Sequence, residues 1–306
     1  LALGTPGGMG AFEVTLIALL PTGESPELLA AILAWRLVYY ALPAVIGAGI
    51  AIIGPAKAVQ KMSFSAPNTA NIRAETGLDR QGTLTKTGLP SGPWLMGRSG
   101  HSLLAVFDPI TPQTRPDLTT SLQALHQLAN DEGRLPAGYT SGPRLTALAR
   151  RQGKSTRRIA WEAWIAPQTY QLATSCRAGL RRKLRRAEAA GVTIRHTPAE
   201  VAPWPALDQI AADWAQSHGG ERGFSMGRHA RAYLAQQRLY VAWRDDRPIA
   251  YVSFHTTAQE WALDLMRHQS NLPDGTMHAL IQTAIADATR HGIARLSLAA
   301  VPDAAL

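Results

Sequence analysis

Between Leu28 and Ile53 the only charged residue is Arg36. A helix needs about 20 apolar residues to cross a bilayer core, so this run predicts a membrane span. Pro43 lies inside it and removes one backbone hydrogen bond. The run Gly7–Leu20 is shorter and reads as a half-helix or the tail of an earlier span. The bland alternative is a buried helical hairpin, but the second run exceeds ordinary core helices. Arg36 and Glu13 are costly in lipid and call for partners or a watery cavity. Residues 1–54 carry a net charge of −2 and the rest +11. A hydrophobic head therefore precedes a strongly basic body, which suits nucleic acid or anionic lipid, with solubility as the plainer use of such charge. Lys57 and Lys61 follow the span and place that body in the cytoplasm.

The single cysteine, Cys176, excludes an internal disulfide and a cysteine metal cluster. Residues 55–92 read as a linker, because Met62–Pro93 is rich in Ser, Thr, Gly, Asn and Pro without periodicity. Two short apolar runs, Trp94–Met96 and Leu103–Phe107, flank Arg98-Ser99-Gly100 and predict a hairpin. Leu122, Leu125 and Leu128 repeat at helical spacing, and a strand is expected within Arg158–Ile165, with Trp161 and Trp164 on opposite faces.

Arg144–Arg195 holds thirteen Lys or Arg against two acids, Glu162 and Glu188. There Cys176, Leu180, Leu184 and Ala187 line one helical face, while Arg181, Arg182, Lys183, Arg185 and Arg186 crowd the rest. Like charges at i,i+4 repel, so this face invites phosphates of RNA or lipid; a merely solvated face is the alternative.

In the second half, Ala206–Ser217 predicts a helix with Leu207, Ile210, Ala211 and Trp214 inward. Strands follow at Leu239–Trp243, Ile249–Phe254 and Trp261–Met266. Asp274 is the expected N-cap of a helix ended by Gly292, and Ala294, Leu296 and Leu298 alternate as a last strand. The class is α+β, of the acetyltransferase kind. Residues 93–195 give a vaguer version, so two tandem domains, 93–195 and 196–306, are expected.

Asp264 stands in an otherwise apolar strand and is either paired structurally or tuned for function. Arg267, three residues on, belongs on the opposite strand face unless a bulge or the strand end intervenes. Arg222 and Arg228 flank a turn and suit bidentate phosphate binding, with Glu221 as a partner for one of them. The nine histidines show no metal spacing, and His196, His255 and His278 read as surface or half-buried residues. No nucleophile-elbow or phosphate-loop pattern occurs. No metal and no cofactor is called for.

One set of motifs recurs in a family's order: Gly7–Glu13, Trp35–Pro43, Gly97-Arg98-Ser99 through Pro109, Glu221–Arg228, Asp264–Arg267 and Asp274–Met277. In these the chain resembles the aminoacyl-phosphatidylglycerol synthases of the multiple peptide resistance factor type. The resemblance implies transmembrane helices ending a flippase-like region (1–54), followed by a synthase of two acetyltransferase-like folds at the bacterial inner membrane. Such enzymes move an aminoacyl group, commonly lysyl or alanyl, from its tRNA to a hydroxyl of phosphatidylglycerol. The product lowers the membrane's negative charge and gives resistance to cationic peptides. Carried over, Asp264 and Arg267 are the catalytic pair; Arg222, Phe224, Ser225, Gly227, Arg228 and Asp274 bind substrate; and Arg181, Arg182, Lys183, Arg185 and Arg186 bind tRNA. Family members have further spans before Leu1 and an aromatic, basic segment after Leu306. The oligomeric state stays open, a homo-oligomer among the options.

Two other readings compete. One is an acyl-CoA-dependent N-acyltransferase on the same fold, although Asn271-Leu272-Pro273-Asp274-Gly275 lacks that class's pyrophosphate-binding glycine run. The other is a non-catalytic membrane-anchored lipid- or RNA-binding module.

Overall fold

The computed structural model describes residues 73–90, 92–110, 117–221 and 223–302. The chain divides into two units, Leu1–Met62 and Ser63–Leu306, and the described residues all belong to the second. The membrane-segment expectation for residues 1–54 lies outside them. Among the described residues no helix is long and apolar enough to cross a membrane.

Two sheets are present. The first runs in the order β1 (Thr85–Leu89), β2 (Gly92–Ser99), β3 (Ser102–Val106), β4 (Leu135–Tyr139). The hairpin expected around Arg98-Ser99-Gly100 joins β2 to β3, with Gly100 in the left-handed region (φ 52°) where a glycine fits without strain. Helix α1 (Leu118–Asp131) then crosses to β4, which lies parallel to β3. Asp117 caps α1 by accepting from the Thr119 and Thr120 amides. Helix α2 (Pro143–Arg151) follows. Period-2 alternation sends Trp94 and Met96 to the α1 side and Leu95 to the other. The central strands β2 and β3 are therefore buried on both faces.

The second sheet has six strands in the order β5 (Ala160–Ile165), β10 (Arg295–Pro302), β9 (Glu260–His268), β8 (Arg247–Thr256), β7 (Arg238–Arg244), β6 (Thr193–His196). Asp245 and Asp246, both at positive φ (50° and 57°), form the two-residue turn between β7 and β8. Helices α3 (Ala178–Ala189) and α6 (Thr276–Arg290) bury their apolar sides on one face, against Tyr240, Val252, Phe254 and Trp261. Helix α4 (Trp204–Ser217) and the single turn α5 (Arg231–Leu234) cover the other, against Leu239, Val241, Tyr251 and Leu265. Tyr240, Tyr251 and Phe254 are fully buried, side chains of a size whose burial contributes roughly 1.5–3 kcal/mol each.

The α+β class stands, and the unit strand–strand–helix–strand occurs twice, as β2-β3-α1-β4 and β8-β9-α6-β10. The division at residue 195 does not match the sheets: β5 and β6 pair within the second sheet, and α3 packs on its face. Their sequence neighbours are basic and polar, so composition tied them to the segment before. The presumed linker is likewise partly structured. A 3-10 helix, Ala74–Gln81, stops at Gly82 (φ 78°) and packs on β8 and β9, and β1 follows it.

β9 and β10 share only three residue pairs, Glu260–Ala262 with Arg295–Ser297. Beyond them β10 turns away at Ala299 (φ 66°) and keeps only β5 as a partner. Among the described residues no strand lies beside the edge of β9 from Leu263 to His268 on that side. A wedge opens there.

Candidate active site

Asp264 is placed by an irregularity in β9. Ser253 pairs with Leu265 and Phe254 with Leu263, so Asp264 is an extra residue, a bulge. The bulge reverses the alternation: Leu263 packs with Phe254 on the α6 side, Leu265 with Tyr251 on the α4 side. Asp264 and Arg267 consequently share the face covered by α4 and α5. A regular strand forbids this.

The Asp264 side chain is 5 % exposed. Gln237 Nε2 donates to its Oδ2 at 2.8 Å, and His255 Nε2 lies 3.5 Å from the same oxygen. Oδ1 accepts from no donor among the described residues. Burial alone pushes a carboxyl up, yet the donors His255, Tyr233 and Gln237 hold this one below the usual range. Asp264 is therefore an anion with Oδ2 hydrogen-bonded and with Oδ1 lying under Gly227 without a donor among the described residues. Such a carboxylate orients a hydroxyl well and keeps its proton poorly.

Arg267 is not free. Its Nη2 and Nε donate to Glu221 at 2.7 and 3.3 Å, Nη1 donates to the Met266 carbonyl at 3.0 Å, and the guanidinium lies 3.7 Å from the Trp214 ring. Trp214, expected inward on α4, is the surface on which this arginine stacks. Glu221 takes Arg267 as its partner, where the sequence suggested Arg222 or Arg228.

The turn after Glu221 is held by both sheets. Phe224 adopts positive φ (57°), and its ring enters the core of the first sheet beside Leu84, Leu95, Val106 and Tyr139. Gly97 on β2 makes room, since a Cβ there would stand 2.7 Å from Phe224 Cζ. Gln81 Nε2 donates to the carbonyls of Phe224 (2.9 Å) and Met226 (3.2 Å). Gly227 then lies flat on Asp264, where a Cβ would be 2.6 Å from Cγ. Phe224 and Gly227, expected to bind substrate, pack here against the first sheet and against Asp264. Ser225 is half-buried in it, and Arg228 is exposed with no ion pair among the described residues. Arg222 lies outside the described residues. His229 ends the turn between Tyr251 Oη (2.6 Å) and Asp208 Oδ1 (2.7 Å).

Asp274 does not cap α6. The N-cap is Gly275, at φ 90°, and Asp274 instead pairs with Arg186 at 2.7 Å. Gly275 packs on the α3 backbone: a Cβ there would stand 2.6 Å from the Lys183 carbonyl carbon. At the α6 N-terminus, the natural seat for a pyrophosphate, the α3 backbone packs against Gly275.

The five bases of α3 separate by environment. Arg181 donates to the carbonyls of Leu172 and Thr174. Lys183 lies 3.4 Å from His278, and Arg186 is paired with Asp274. Arg182 and Arg185 are exposed, without ion pairs among the described residues. His196 and His278 are exposed as expected, but His255 is 3 % exposed and sits against Asp264. Its position in β8, in step with Tyr251 and Ser253, is the signal that puts it inward. Gln237 and Tyr233 carried no such signal. Among the described residues no cluster could hold a metal ion.

Comparison with known proteins gives a consistent picture. Residues 85–306 match the model of the family described as "Phosphatidylglycerol lysyltransferase, C-terminal". A phosphatidylglycerol lysyltransferase of Bacillus subtilis is 26 % identical over 213 residues, which is 68 % of this chain and 24 % of that protein. A lysylphosphatidylglycerol biosynthesis bifunctional protein LysX of Mycobacterium leprae is 29 % identical over 204 residues, 64 % of this chain and 18 % of that one. The chain thus spans a quarter or less of these relatives' length. The C-terminal domain of a lysylphosphatidylglycerol synthetase from Agrobacterium fabrum superposes with a TM-score of 0.69 at 23 % identity, over 76 % of this chain and 75 % of that one. L-PGS from Bacillus licheniformis gives 0.67 at 22 %, over 76 % and 73 %. These two likenesses establish a shared fold.

Proposed function

The chain belongs to the phosphatidylglycerol lysyltransferase C-terminal family, and on that premise we propose that it transfers an aminoacyl group, lysyl or alanyl, from aminoacyl-tRNA to phosphatidylglycerol. The oxygen of the lipid's glycerol hydroxyl attacks the aminoacyl carbonyl carbon. The ester bond to the tRNA ribose breaks, and the hydroxyl's proton ends on the ribose oxygen. The product carries an added amine and lowers the negative charge of a bacterial inner membrane.

The observation that carries this reading is the bulge at Asp264, which sets an anionic carboxylate with an unfilled Oδ1 next to the open edge of β9. Oδ1 accepts the acceptor hydroxyl and aims it. Arg267, stacked on Trp214 and neutralised by Glu221, fixes the field on that face rather than gripping a phosphate. Arg228, on the turn over Asp264, contacts substrate phosphate with Ser225 beside it, and Arg222 is assigned the same role from the sequence alone. Arg182 and Arg185 of α3 track tRNA phosphates, and the other three α3 bases hold that helix in place.

The acyl-CoA reading has the α3 packing at the α6 N-terminus against it. Against a non-catalytic module stands the unfilled Oδ1, since a purely structural carboxylate would be expected to have both oxygens hydrogen-bonded.

The test is transfer of labelled lysine or alanine from charged tRNA to phosphatidylglycerol micelles by the whole chain. Lipid-extractable label is expected, reduced about 100-fold or more in Asp264→Asn. Equal label from the variant, or acylation from acyl-CoA in place of tRNA, would overturn the proposal.

A further inference from the structure

His255 is the one buried histidine beside Asp264, and the mechanism above leaves it unused. Its ring stands edge-on to Tyr233, centroids 5.6 Å apart, with Nε2 3.0 Å from the Tyr233 hydroxyl and 3.5 Å from Asp264 Oδ2. The opposite nitrogen, Nδ1, is buried and has no hydrogen-bond partner among the described residues. It faces Gly77 of the 3-10 helix, where a Cβ would be 2.6 Å away.

These contacts choose the tautomer. A proton on Nδ1 would be a buried donor without an acceptor, which costs more than a bare lone pair in apolar surroundings. The proton therefore belongs on Nε2, where the Asp264 carboxylate and the Tyr233 oxygen receive it. Gly77 closes the space behind the ring, so the ring cannot withdraw that way. The charged groups around this cluster are Asp264 on β9 and Arg80 on the 3-10 helix, with Tyr233 on α5 as the third titratable side chain.

We propose that His255 is a positioning residue: its Nε2–H and the Gln237 amide together hold Asp264 Oδ2, so that Oδ1 alone is presented to the acceptor hydroxyl. Gly77, from a segment that sequence composition makes a linker, is the backstop of this arrangement. The proposal rests on Asp264 being the orienting acceptor of the transfer reaction, but the contact it describes exists without substrate.

The test therefore has two arms. The first follows the titration of the Asp264 side chain by 13C NMR in the whole chain, in His255→Leu and in His255→Gln. Gln places an amide N–H near the Nε2 position, and Leu keeps the volume without a donor. The Asp264 midpoint is expected to rise by at least one pH unit in His255→Leu and to return towards wild type in His255→Gln. The second arm measures transfer. In His255→Leu, kcat is expected to fall about tenfold with KM for charged tRNA unchanged, and the acid limb of the pH profile to move up with the Asp264 midpoint. His255→Gln recovers most of that loss. Matching thermal midpoints in the three proteins establish that they fold. An unchanged Asp264 midpoint in folded His255→Leu overturns the positioning role, whatever the activity. A shifted midpoint in a chain that transfers nothing leaves the contact standing and refutes the transfer reaction instead.

Discussion

Gly227→Ala isolates one contact on which the site depends. Gly227 is not among the glycines at positive φ, so alanine costs it no backbone strain. The objection to a side chain is purely the carboxylate: the added Cβ would stand 2.6 Å from Asp264 Cγ, where carbon atoms prefer 3.5–4.0 Å. Relief needs a shift of about 1 Å, by the turn or by Asp264. If Asp264 retreats, the 2.8 Å bond from Gln237 is broken, and a hydrogen bond to a charged group contributes about 1.5–3 kcal/mol. If the turn lifts, the Gln81 bonds and the Phe224 plug are disturbed, an overpacking cost of about 1–3 kcal/mol. Either route predicts a loss of about 2 kcal/mol, or roughly 4–8 °C in Tm for a domain of this size. Urea and thermal unfolding of Gly227→Ala, Asp264→Ala and the double variant measure it. Removing the carboxylate removes the obstacle, so the double variant is expected to be about 2 kcal/mol more stable than additivity predicts. Strict additivity would refute the reasoning, because the glycine would then be needed for something other than Asp264.

Two further expectations follow from charged groups. Burial raises the Glu75 carboxyl to about 7, with Arg73 at 3.3 Å only partly opposing it. An acid raised on folding stabilises fully below its unfolded value and loses that contribution as pH rises, so stability falls between about pH 4.5 and about 7; urea midpoints across that range are expected to flatten in Glu75→Gln. Replacing Arg182 and Arg185 together by Ala is expected to weaken tRNA binding and to reduce the slope of log K against log salt by roughly 1.5–2, the share of two phosphates. Arg186→Ala, whose charge is already spent on Asp274, should change that slope less.

How far the sequence carried can be seen in single residues. Leu207, Ile210 and Ala211 of α4 and the alternating Leu296 and Leu298 of β10 were legible because burial leaves a period in the chain, and β7 to β9 because they are short apolar runs bounded by turns. The β5 strand was legible too, but not its partner, since only the long-range pairing of Trp164 with Ser297 assigns it to the second sheet. Asp274 read as an N-cap by residue type, which ignores the α3 backbone that claims the position instead. At the site the sequence offered Asp264 and Arg267 together with the condition for their meeting, a bulge. It could not say that the bulge exists, because an extra residue in one strand shows only against its neighbour. Glu221, Trp214, Gln237 and His255 come from separate elements, and no spacing relates them.

The glycines explain why the turn over the site needs both sheets. Gly77, Gly97 and Gly227 each admit another residue's side chain, namely His255, Phe224 and Asp264. They join the 3-10 helix to β8, β2 to the turn, and the turn to β9. The first sheet thereby takes part in the site without lending it a reacting group. It receives Phe224, and Gln81 from the 3-10 helix ties down the next carbonyls, so the turn is pulled onto Asp264 from outside the second sheet. A single sheet of this kind would have the bulge and the carboxylate but nothing to close over them. The doubled strand–strand–helix–strand unit is therefore a division of labour. One copy bends a strand to present an anion, and the other anchors the turn that covers it.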